Sequence, residues 1–275
     1  MNRPVNKISQ EIEKQIVELL GTKPVQHIAE QFNISKPTVY RIAKEYNKNP
    51  TYTSHILNRT YFDNVQTEHQ AYWLGFIMAD GTICKPGKTH SDNCRLQINI
   101  SAKDIELLEL FKQDIKAFDT EINTYIPKNT YSSNPMSKIV INSRQLCDGL
   151  KQYGISSNKT GNECIPNISK ELLSHFIRGY FDGDGCITCN DKPIISFTCA
   201  NESFLYSLKY ILQQEIGLLS EAEPIPSGYQ NNRKKHSFQI SFGGILDVLN
   251  FYKYIYQNAT IYLSRKYNKY TSLLS

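Results

Sequence analysis

No stretch of this 275-residue chain stays apolar for the length that a bilayer crossing requires, and its start, Met1-Asn2-Arg3-Pro4, has no secretory character. A membrane partner is therefore not expected. Cysteines number seven, which do not pair evenly, and nothing around them suggests an oxidising environment. The expected location is a reduced one: the cytoplasm, associated with the nucleoid, or an organellar matrix. Cys186 and Cys189 have zinc-knuckle spacing, yet no second Cys or His pair follows, and residues three apart on a strand point to opposite faces. Strong net charge is also missing. The 31 Lys and Arg against 26 Asp and Glu leave +5, a balance that permits a nucleic-acid partner without requiring one.

What is present is one unusual helix ending, twice. It reads Trp73-Leu74-Gly75-Phe76-Ile77-Met78-Ala79-Asp80-Gly81 and again Ile177-Arg178-Gly179-Tyr180-Phe181-Asp182-Gly183-Asp184-Gly185. A central glycine, Gly75 or Gly179, allows close backbone approach, so the two helices can pack along their length and bring Asp80 and Asp184 together at their C-terminal ends. Two carboxylates at two negative helix ends repel, and a divalent cation with hard oxygen ligands relieves that repulsion. One such ending alone would be an ordinary way to leave a helix. Two, each followed by the same order of elements, suggest phosphoryl chemistry at a shared site.

The repeat continues past the motifs. Behind Asp80 come an alternating run from Arg95 to Ile100, a helical pattern from Lys103 to Phe118, a second run from Ser137 to Asn142 and a helix near Arg144–Tyr153. Behind Asp184 the order recurs with Ile194–Thr198, Glu202–Glu215, Ser237–Phe242 and Ile245–Tyr256. Alternation buries one strand face and leaves the other polar, with Arg95, Gln97, Asn99, Lys138, Asn142 and Gln239 on the polar side. These side chains suit hydrogen bonding to base edges, and equally an ordinary solvated sheet face. The basic loop Arg233-Lys234-Lys235 can reach phosphates or stand as a solvated charge run.

The first fifty residues read as a separate all-α unit. A helix over Ser9–Leu20 ends at Gly21, a second runs from Pro24 to about Phe32, Asn33 takes a left-handed turn, and Ser35 caps a third helix over Lys36–Tyr46. Val39, Ile42 and Ala43 face inward, leaving Lys36, Thr38, Tyr40, Arg41 and Lys44 outside. With Ala29 before the turn and Ile34 within it, the segment is similar to helix-turn-helix DNA-binding domains, whose third helix enters the major groove. A bundle that contacts another protein is the alternative. Residues 51–66 read as a linker, too apolar at Tyr52, Ile56, Leu57, Tyr61 and Phe62 for a pure spacer and expected to wrap the duplex.

The paired motifs resemble the signatures of the LAGLIDADG homing endonucleases. The resemblance covers most of residues 60–275 and implies an α+β fold: two pseudo-symmetric αββαββα repeats, 67–164 and 165–275, forming a saddle over double-stranded DNA, here preceded by the small helix-turn-helix unit of residues 1–50. It implies a monomer that hydrolyses DNA phosphodiesters with Mg²⁺ or Mn²⁺, leaving short 3′ overhangs. Asp80 and Asp184, with backbone oxygens at Gly81 and Gly185, would hold the metal. Lys159 and Lys266, which follow their aspartates at similar distances, match the basic residue that family members carry near each site, and would stabilise the phosphorane or orient the attacking water. Met78 departs from the family motif by replacing an acid. Asp182 keeps that acid but faces away from Asp184, and is expected to be a solvated or helix-packing residue. Two rival readings share the scaffold, a catalytically silent DNA-binding regulator and a maturase that binds intron RNA. A self-splicing chain is not expected, because the ending Leu273-Leu274-Ser275 lacks the His-Asn pair that such chemistry resembles.

Overall fold

A computed structural model describes residues 8–50, 57–84, 94–128, 134–189, 192–227 and 237–274. They fall into two units, residues 1–57 and 58–275. Arg233, Lys234, Lys235, Tyr52 and Ile56 lie outside the described residues. Among those described, no helix is long and apolar enough to cross a membrane.

The first unit consists of α1 (Gln10–Leu19), α2 (Val25–Gln31) and α3 (Lys36–Glu45). Ser9 and Ser35 cap α1 and α3, accepting from the backbone N–H groups of Ile12 and Thr38, and the turn before α3 is made by Asn33 at φ 51°. Both features follow from the short polar side chains, which bond locally and tolerate the left-handed region. Ile16, Ile28, Ala29, Val39 and Ile42 form the core.

In the second unit, α4 (Glu68–Asp80) and α7 (Leu173–Asp184) pack against each other at its centre. A capping box between Thr67 and Gln70 starts α4. The approach of the two helices depends on glycine: a Cβ on Gly75 would lie 2.0 Å from the Phe176 carbonyl oxygen, and one on Gly179 1.9 Å from that of Tyr72. Trp73 and Phe176 are fully buried, each worth about 2–3 kcal/mol of apolar burial.

Each helix is followed by the same succession. In the first repeat it is β1 (Gly81–Cys84), β2 (Arg95–Ser101), α5 (Ile105–Asp114), β3 (Asn123–Tyr125), β4 (Met136–Asn142) and α6 (Arg144–Lys151). In the second it is β5 (Gly185–Cys189), β6 (Pro193–Cys199), α8 (Glu202–Ile216), β7 (Ile225–Ser227), β8 (Ser237–Gly243) and α9 (Ile245–Tyr256), after which α10 (Ser264–Leu274) is added. The sheets are antiparallel, with strand orders β1-β2-β4-β3 and β5-β6-β8-β7. The fold is thus α+β with two αββαββα repeats.

One expectation is corrected. Residues 58–66, expected as linker, belong to the second unit: Tyr61, Phe62 and Val65 are buried, the Asn58 N–H donates to the Ile115 carbonyl, and that of Val65 donates to the Tyr153 hydroxyl. Their apolar content is core, not linker. Of the two readings of Asp182, solvated or helix-packing, the structure shows the second. It is buried and accepts from the hydroxyls of Tyr72 and Tyr256, both at 2.9 Å, and from the Leu263 N–H at 2.7 Å. Burial pushes its carboxyl up, and these donors and Lys266 pull it back. One turn earlier, buried Arg178 donates to the Ile255 and Ile261 carbonyls and pairs with Glu68 at 2.7 Å. Asp182 and Arg178 therefore tie the central helix pair to the chain around α9 and the start of α10.

Candidate functional site

Asp80 and Asp184 are the last residues of α4 and α7, and the tight packing of those helices brings the ends together. A Cβ placed on Gly183 would lie 3.3 Å from Asp80 Oδ2, so the first carboxylate reaches the final turn of the opposite helix. Asp80 is half-buried and Asp184 is open on its outer side. Burial pushes the Asp80 carboxyl up to about 6, with the Asp184 charge adding to the rise, while Lys159 and Lys266 oppose it. The protein surrounding Asp184 raises its carboxyl as well, against the pull of the same two lysines. Among the described residues no hydrogen bond supports either carboxylate. Two partly desolvated acids sharing helix C-termini are costly without a cation, and oxygen donors of this kind suit Mg²⁺, which usually takes one or two carboxylates and fills its shell with water and phosphate. No group of three or more His, Cys, Asp or Glu side chains stands ready for a metal among the described residues. The donor set therefore fits a hard cation completed by substrate.

The two lysines stand at the helix ends. Lys159 Nζ donates to the carbonyls of Ile77 at 3.1 Å, Ala79 at 2.5 Å, and Met78. Lys266 Nζ donates to the carbonyls of Asp182 at 2.9 Å, Gly185 at 2.5 Å, and Phe181. An ammonium has three N–H donors, and here they reach helix-end carbonyls. Each lysine caps the C-terminal turn that presents an aspartate, and its charge offsets the helix dipole there. Burial lowers the Lys159 ammonium against the pull of Asp184 and Asp80. It lowers Lys266 to about 8 against the pull of Asp182 and Asp80, with Arg265 adding to the fall. The Gly185 carbonyl, expected as a metal ligand, accepts from Lys266; Gly81 begins β1, paired with Ile98.

Outward from the site run the exposed sheet faces. Arg95, Gln97 and Asn99 stand on one side of β2, opposite Asn142, Val140 and Lys138 of β4. Tyr125 joins them from β3: its hydroxyl donates to Asn99 Oδ1 at 3.4 Å and its ring lies 5.5 Å from Lys138 Nζ. On the second sheet Gln239 is half-buried, with its amide donating to Ser241 at 3.0 Å. Sequence reasoning selected only Gln239 there because it counted long polar side chains. The same face also carries Ile194, Ser196, Thr198 and Ile225, and only strand register places these together.

In the first unit Lys36, Tyr40, Arg41 and Lys44 are exposed along α3. Arg41 is engaged by Glu45 at 2.6 Å and Glu13 at 3.5 Å, and Thr38 shares a hydrogen bond with Ser35 at the cap.

Comparison with known proteins gives two family matches. Residues 171–256 match the LAGLIDADG-like domain, and residues 7–47 match the helix-turn-helix domain of transposase family ISL3. Among curated proteins, the chain is 27% identical over 156 residues to a DNA-directed RNA polymerase subunit Rpo1C of Methanocaldococcus jannaschii, an alignment of 54% of this chain and 16% of that protein. It is 26% identical over 193 residues to a glutamine–fructose-6-phosphate aminotransferase of the same organism, covering 68% of this chain and 16% of the other. A replication factor C small subunit of Thermococcus kodakarensis is 25% identical over 144 residues, 52% of this chain and 15% of that one. The chain thus spans about a sixth of the length of these relatives. Of solved structures, I-DmoI in complex with DNA and Ca shares 13% identity at a TM-score of 0.49, covering 78% of this chain and 99% of the other. The DUF199/WhiA protein from Thermatoga maritima shares 15% at 0.43, covering 78% and 64%.

Proposed function

We propose, from a chain whose residues 171–256 form a LAGLIDADG-like domain and whose residues 7–47 form a helix-turn-helix domain, that it is a site-specific, divalent-metal-dependent DNA endonuclease cutting both strands of a duplex. The observation that carries this is the pair Asp80 and Asp184: two carboxylates raised by burial at the ends of the two central helices, with no hydrogen bond from the described residues to relieve them. A chain that only binds DNA gains nothing from such a pair, which weakens the fold unless a cation is held there.

Asp80 and Asp184 would hold the cation, Mg²⁺ or Mn²⁺. When bound, the cation supplies Lewis acidity toward the scissile phosphate and the attacking water. The chain's own residues do the positioning. Lys159 and Lys266 hold the last turns of α4 and α7 through their carbonyls, fixing where each carboxylate stands. The outward faces of the two sheets would set the register of the duplex, with Arg95 and Lys138 supplying positive charge. The first unit would lengthen the recognised sequence by placing α3 in a neighbouring major groove. Because each repeat contributes one acid, one monomer would cut both strands, leaving short 3′ overhangs.

The test uses Asp80→Asn and Asp184→Asn, which keep shape and remove charge. Double-strand cutting is expected to vanish in both while affinity for the same duplex stays within a few-fold. Cutting by either at the wild-type rate would overturn the assignment.

A further inference from the structure

The two sheets share strand order and register, so their outward faces can be matched position by position. Gly81 pairs with Ile98 and Gly185 with Phe197, which makes Ile194 the counterpart of Arg95, Ser196 of Gln97, and Thr198 of Asn99. The pairs Ile98–Ile139 and Phe197–Ile240 make Gln239 the counterpart of Lys138 and Gly243 that of Asn142. Asn123 and Ile225, opposite Lys138 and Gln239, correspond in the same way.

At each of these positions the second sheet carries a shorter, uncharged or apolar side chain, and only Val140, matched by Ser241, runs the other way. Strands β1–β4 contain Arg95 and Lys138, whereas β5–β8 contain no charged residue. Ile194 and Ile225 remain 43% and 62% exposed, Ile194 opposite Thr188 and Ile225 opposite Gln239. Isoleucine open to water on a strand offers an apolar contact to whatever lies over the sheet, and covering it there is favourable. The thymine 5-methyl is the apolar feature of the major groove, while guanine and adenine offer acceptors to Arg, Lys, Asn and Gln.

Resting on the DNA-binding reading above, we propose that the two halves of the target are read by different chemistry. The first sheet takes its half through hydrogen bonds from Arg95, Gln97 and Lys138 to purine edges. The second takes a thymine-rich half, seating 5-methyl groups against Ile194 and Ile225. The recognised sequence is then asymmetric in kind, with the strand-borne charged contacts in the first half.

The test selects a bound duplex with the full chain, then replaces thymine by deoxyuridine in one half at a time, which removes methyl groups and nothing else. The half whose base preference broadens in Arg95→Ala marks the first sheet. Deoxyuridine in the other half is expected to weaken binding about fourfold per contacted methyl, with little change in the first half. Ile194→Ser, at an exposed position, should abolish the effect at one thymine and leave the rest. Equal sensitivity in both halves, or none in the second, on a duplex that is bound specifically would overturn the proposal alone. Selection of no duplex at all would overturn the DNA-binding reading, and this proposal with it.

Discussion

At the scale of single residues, the two motif aspartates carry a free-energy cost that function would explain. A carboxyl whose folded pKa is raised binds its proton more tightly in the native state, so its contribution to stability is fully present below the ordinary pKa near 3.8 and is lost as pH rises through about 6. Without metal at pH 7.5, Asp80→Asn is therefore expected to stabilise the protein by about 1–2 kcal/mol, discounted from the full shift because the carboxylate is partly exposed. Thermal unfolding would show a rise of roughly 3–6 °C, accompanied by loss of cutting. A fall in Tm would mean that the carboxylate has a structural partner. Asp182 has the opposite character. Replacing it by Ala should cost about 3 kcal/mol by denaturant unfolding, because the hydroxyls of Tyr72 and Tyr256 and the Leu263 N–H would lose their acceptor. Sequence patterning separated Asp182 from Asp184 correctly by direction. It left open whether Asp182 meets water or protein, because its partners lie far along the chain.

Among the elements, the central helix pair decides the geometry of the site. Gly75→Ala would place a methyl carbon where the Phe176 carbonyl oxygen stands, 2.0 Å away. The helices must part, at a cost of about 3 kcal/mol or more in unfolding free energy, and Asp80 and Asp184 part with them, so Mg²⁺ binding measured by calorimetry should weaken too. The small residue at the centre of an apolar helix made this contact readable in advance. Short strands were harder: β3 and β7 have three residues each, too few for a period to register, and they form only because β4 and β8 offer an open edge. Both lysines stood out by spacing. Their roles did not, since an amphipathic cation near a helix end looks the same in sequence whether it caps carbonyls or faces a phosphate. Lys266→Ala should therefore act mainly on stability, leaving three carbonyls without their donor, at about 2–4 kcal/mol by chemical unfolding.

For the whole molecule, two units with separate cores predict separable behaviour. Residues 58–275 produced alone should fold and retain cutting at high protein concentration, while affinity falls by up to about a hundredfold as the tethered second contact is lost. A protected footprint of unchanged length would remove the helix-turn-helix unit from target recognition. A separate all-α unit at the start was legible from its three capped helical patterns, though the two units divide between residues 57 and 58. The assignment of residues 58–66 was not, because apolar residues in a connecting segment carry no mark of the surface they will bury against.

The central claim is metal-dependent cutting of a specific duplex. Purified protein incubated with a randomised duplex library in Mg²⁺ or in EDTA, followed by sequencing of the ends, tests it most directly. The expected result is a set of discrete ends with short 3′ overhangs flanking one common asymmetric sequence, present with Mg²⁺ and absent with EDTA. Enrichment of bound sequences with no cut ends in Mg²⁺ would contradict it, and would make the chain a DNA-binding regulator on a nuclease scaffold.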